Sequence, residues 1–85
     1  MAEKDNFEMQ SNRILQAAKK LCSTCAVEFD DNNSLNWIRF RITDGGTTLT
    51  SAYPEFHVSE VADWTDQRLQ QVIESVTGGR VRAGD

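Results

Sequence analysis

Apolar residues recur at helical spacing near the start of the chain. Phe7, Ile14, Leu15, Ala18, Leu21 and Cys22 are separated mostly by threes and fours, which gathers them on one helical face. Arg13, Lys19 and Lys20 take the other side. Asp5 and Glu8 have the spacing of a capping box, and Lys19 and Lys20 suit the negative end of the helix dipole. The pattern predicts a helix over about residues 6–23.

The period then drops to two. In "CAVEFD", Cys25, Val27 and Phe29 alternate with Ala26, Glu28 and Asp30, as in a half-buried strand. "DDNNS" breaks it with turn residues. "LNWIRFRIT" is the clearest strand, with Ile38, Phe40 and Ile42 on one face and Trp37, Arg39 and Arg41 on the other. Asp44-Gly45 or Gly45-Gly46 makes a tight hairpin turn, because both central residues need positive φ. "TTLTSAY" returns as a third strand that Pro54 ends, with Leu49 facing the core and Thr48 and Thr50 facing out.

Residues 55–63 read as a short helix or a loop. The last helix is better marked. Thr65 is an N-cap, Trp64 can staple onto Leu69, and Leu69, Val72, Ile73 and Val76 recur at i, i+3, i+4 and i+7. Gly78-Gly79 ends it. The expected fold is therefore α+β, in the order α-β-β-β-α. A three-stranded antiparallel sheet carries two helices on its apolar face. One domain spans residues 1–79, with residues 80–85 as a flexible tail.

Composition narrows the function. The 85-residue chain has 39% hydrophobic and 26% charged residues, ordinary for one small globular domain. The N-terminus has no apolar signal region and no run approaches the ~18 residues of a membrane span, so a cytoplasmic protein with no membrane contact is expected. Net charge is −4, and all of it lies in residues 44–85, which hold three Arg and seven Asp/Glu. Such a balance repels phosphate and makes nucleic acid an unlikely partner.

Chemistry-bearing motifs are few. Cys22 and Cys25 form one C-x-x-C that follows the predicted helix, at the dipole end that disfavours a thiolate. They are read as small buried side chains, reduced in the cytoplasm. An alternative is a thiol redox or zinc site, for which Cys22, Cys25 and His57 supply only three of the four usual ligands. No nucleophile motif accompanies His57, and neither glycine pair opens a helix as a phosphate loop would. No enzyme activity and no cofactor are expected.

The order α-β-β-β-α is also that of double-stranded RNA-binding domains, a likeness of topology alone. Those domains carry a lysine-rich cluster where the last helix starts. Here the position reads "DWTDQR", with Asp63 and Asp66, so no family assignment follows.

The outer sheet face remains the main candidate surface. Trp37, Arg39, Arg41, Glu28, Thr48 and Thr50 lie on it, and aromatic residues with Arg favour interface hot spots. The opposing reading is a solvated face on which the arginines pair with Glu28. The function expected from the sequence is a small protein–protein interaction module, self-associating or binding another protein. The alternative is an acidic regulator or inhibitor of a basic or nucleic-acid-binding partner.

Overall fold

A computed structural model describes residues 2–30, 35–50 and 53–82. The expected turn at residues 31–34, part of the expected third strand at 51–52, and residues 83–85 lie outside the described residues. The elements run α1 (Ala2–Leu21), β1 (Cys25–Phe29), β2 (Trp37–Asp44), β3 (Thr47–Thr48), β4 (Glu55–His57), α2 (Val58–Asp63) and α3 (Asp66–Val76). This is the expected α+β fold, with antiparallel pairing throughout the sheet and helices covering its apolar face. The strand alternation accounts for the layering. Ile38, Phe40 and Ile42 are buried and meet Ile14 and Ala18 of α1, Val58 and Val61 of α2, and Leu69 and Ile73 of α3.

Three details differ from the expectation. The helix α1 starts earlier, at Ala2, so Asp5 and Glu8 lie inside it. The third strand is split: β3 pairs with residues 43–44 of β2 and β4 with residues 37–39. Between the Thr43–Thr48 and Arg39–Glu55 pairings, β2 advances four residues while the returning chain advances seven, leaving three extra residues. Both pieces lie along the same edge of β2, since the Ile42 carbonyl accepts from Leu49 N and the Phe40 N–H reaches the Pro54 carbonyl. Residues 55–63 are neither all helix nor all loop but a strand followed directly by α2.

The extra residues change the face of Thr50. The alternation of a continuous strand puts it outside, yet it is buried, at 5% exposure. Its Oγ1 is buried and finds no hydrogen-bond partner. Thr50→Val replaces that hydroxyl with a methyl of similar size, so stability should stay level or rise by about 1 kcal/mol in urea titration. A loss of more than about 1 kcal/mol would mean that the hydroxyl is satisfied.

The hairpin uses Gly45-Gly46, both at positive φ (60° and 87°), with Asp44 opposite Thr47. At the end of α3, Gly79 N–H donates to Glu74 O (2.8 Å) and Gly78 N–H to Ser75 O (3.1 Å), the double bond of a Schellman cap. The chain after this cap is not a loose tail up to residue 82. Val81 is buried in the core, and its N–H lies 3.3 Å from Thr77 Oγ1.

Arg13 fastens the helices together. Its guanidinium donates to Gln10 Oε1 (2.9 Å), to the carbonyl of Val61 (2.9 Å) and to that of Trp64, with Asp66 at 3.7 Å. Arg13→Ala strands two partly buried carbonyls at the α2–α3 junction and should cost about 1–3 kcal/mol by chemical denaturation. Lysine should rescue it only partly, having no planar fork to reach both carbonyls. A loss under about 0.5 kcal/mol would show that water replaces the guanidinium at no cost.

Candidate functional site

The outer face is assembled by register. Glu28 of β1 lies directly opposite Arg41 of β2, and both Arg41 Nε and a terminal nitrogen donate to one Glu28 oxygen (2.9 and 2.6 Å). That hydrogen bond first, and the carboxylate charge second, raise the Arg41 pKa above its ordinary value, so the guanidinium stays charged. Arg39 pairs with Asp30 at 2.9 Å. Both guanidinium carbons then stand over one ring, that of Tyr53, at 5.5 Å for Arg39 and 5.4 Å for Arg41. Trp37, opposite His57 in the β2–β4 pairing, meets the imidazole edge-on with centroids 5.0 Å apart.

Trp37 is 44% exposed, Leu35 41% and Tyr53 37%. The face is thus a row of aromatic and guanidinium groups with apolar surface open to solvent, held at its edge by two carboxylates. Five of the six residues selected from sequence fall where expected: Trp37, Arg39, Arg41, Glu28 and Thr48, the last opposite Thr43. Thr50 does not, as its burial shows. Tyr53, Asp30 and His57 also contribute to this face, although the sequence reading does not name them as part of it. A continuous third strand puts Tyr53 on the same face as Leu49, and the three extra residues reverse that assignment. His57 is structural as well: its Nδ1 accepts the Ser59 N–H (3.1 Å) and caps α2.

The second cluster sits at the other end of β2. Cys25 lies opposite Asp44, whereas His57 lies opposite Trp37, seven residues away on the same strand or about 23 Å. Cys22, Cys25 and His57 therefore do not converge on a metal. Among the described residues, the group that does converge is Cys22, Cys25 and Asp44, whose ligand atoms lie within 4.8 Å of one another. The cysteines themselves differ from the expectation of two reduced thiols, since they are joined as a disulfide with Cα atoms 5.4 Å apart. Cys25 is buried at 2% exposure, as its strand face requires. Cys22, just past the end of α1, is half-buried.

Comparisons of the chain with protein-family models, curated proteins and solved structures found no match. Among the described residues, no helix is long and apolar enough to cross a membrane.

Proposed function

We propose that the protein is a small non-enzymatic interaction module whose outer sheet face binds a protein, either a second copy of the chain or another chain. The observation that carries this reading is the Trp37–Arg39–Arg41–Tyr53 row. Its guanidinium groups are already positioned by carboxylates and by one aromatic ring, so a partner orders few free side chains on binding. Its exposed rings offer the apolar area and its arginines the directional donors that hot spots combine. Each arginine is engaged with a carboxylate, which favours a mixed protein surface over a phosphate backbone, as does the net charge of −4.

The test compares wild type with Trp37→Ala by sedimentation and by affinity capture from the native host, with circular dichroism as the folding control. Loss of assembly or of a specific captured partner in the folded variant supports the reading. Identical behaviour of the two proteins removes this face from consideration.

A further inference from the structure

The C-x-x-C lies away from the outer face and is asymmetric. Cys25 is buried in the core, whereas Cys22 is half-buried and lines an open groove of ≈ 370 Å³. Cys22, Asp44, Arg80 and Arg82 all line that groove. Cys22 is therefore the cysteine that faces an incoming sulfur nucleophile, while Cys25 lies within the core. The Asp44 carboxylate stands 3.9 Å from Cys22 Sγ. A disulfide sulfur has no proton to give, so this contact becomes a hydrogen bond only when Cys22 is a thiol. Arg80 brings positive charge to the groove beside the single carboxylate of Asp44, which suits an approaching anion.

We propose that Cys22–Cys25 is a reversible thiol–disulfide exchange site for an anionic low-molecular-weight thiol, with Cys22 the attacked sulfur and Cys25 the leaving one. The thiolate attacks Cys22 Sγ, a mixed disulfide forms there, and the Cys22–Cys25 bond breaks with its electron pair on Cys25, which takes up a proton. A second thiolate attacks the mixed disulfide at the sulfur of the first. The small disulfide departs, and Cys22 leaves as a thiolate that is then protonated. The balance is one protein disulfide and two thiols giving one protein dithiol and one small disulfide. This site works by stoichiometric exchange and does not depend on the outer face being an interface.

The test uses the full chain in glutathione redox buffers without denaturant, with acid quenching, alkylation and mass counting of thiols. Glutathione serves as the anionic thiol and 2-mercaptoethanol as the neutral one. The expected result is reversible passage between zero and two alkylated thiols with an unchanged circular dichroism spectrum. In Cys25→Ser, oxidised glutathione should modify Cys22 at least about tenfold faster than it modifies Cys25 in Cys22→Ser, because Cys22 lines the groove and Cys25 lies within the core. Arg80→Glu should slow reduction by glutathione about threefold or more relative to 2-mercaptoethanol. Reduction that occurs only in denaturant overturns the proposal, and this measurement needs no variant. Equal modification of the two single-cysteine variants overturns the order of attack. Equal slowing for both reductants overturns the preference for an anion. Stoichiometric zinc on the reduced protein, protecting both thiols, would replace the exchange site with a metal site built on Cys22, Cys25 and Asp44.

Discussion

Phe40→Ala should lower the free energy of unfolding by about 3–5 kcal/mol in urea titration followed by circular dichroism. Phe40 is 1% exposed. Its ring lies 6.4 Å from Phe29 across the β1–β2 pair and 6.1 Å from Phe56 on the other side, centroid to centroid. Truncation therefore removes the middle of a three-ring row and leaves a cavity that strands on both sides cannot close without losing register. In a domain of this size the loss is a large share of the ~5–15 kcal/mol typical of native stability. Thr48→Ala is the matched control, since Thr48 is exposed on the opposite face, and it should change stability by no more than about 0.5 kcal/mol. Similar losses from the two substitutions would mean that the faces of the sheet are reversed.

The second large effect belongs to binding. Trp37→Ala should weaken the association made by the outer face by about 2 kcal/mol or more, roughly 30-fold in Kd. Folding should change far less, because the ring is 44% exposed and its recorded aromatic contact is the edge of His57. That contact is worth about 0.5–1.5 kcal/mol. A stability loss much above this range would show that Trp37 supports the β2–β4 pairing and would disqualify the variant as a binding probe. Tyr53→Ala then serves instead, because it removes the ring between Arg39 and Arg41 while both ion pairs remain. If neither variant alters assembly or partner, the acidic surface near Asp63 and Asp66 at the start of α3 becomes the next one to probe.

Local signals carried most of the architecture. The alternation of Ile38, Phe40 and Ile42 with Trp37, Arg39 and Arg41 set both faces of β2, because the strand period leaves a side chain only two directions. Asp44-Gly45-Gly46 predicted a hairpin with two possible turn placements, and Thr65 and Gly78-Gly79 marked the ends of α3, because caps and tight turns are satisfied within a few residues. Their energetics needs no knowledge of the remote chain.

Contacts between distant segments were settled by the tertiary structure. Three extra residues in the returning chain turned Thr50 inward and allowed pairing to resume beyond Pro54, and this brought Tyr53 under two arginines. No local pattern encodes that count, since pairing on either side of it obeys the same alternation. Arg13 looks like one more solvent-facing cation on a helix until α2 ends above it and presents two carbonyls. Val81 looks like part of a tail until the Schellman cap turns it into the core. The C-x-x-C and the burial of Cys25 were visible at once, whereas the nearness of Asp44 depended on the β1–β2 register. The sequence by itself determined which face of β2 is apolar, where the hairpin turns and where α3 begins and ends, because those follow from side-chain period and backbone chemistry. Which polar groups meet was decided by register and docking, because such meetings depend on how segments far apart in the chain are brought together.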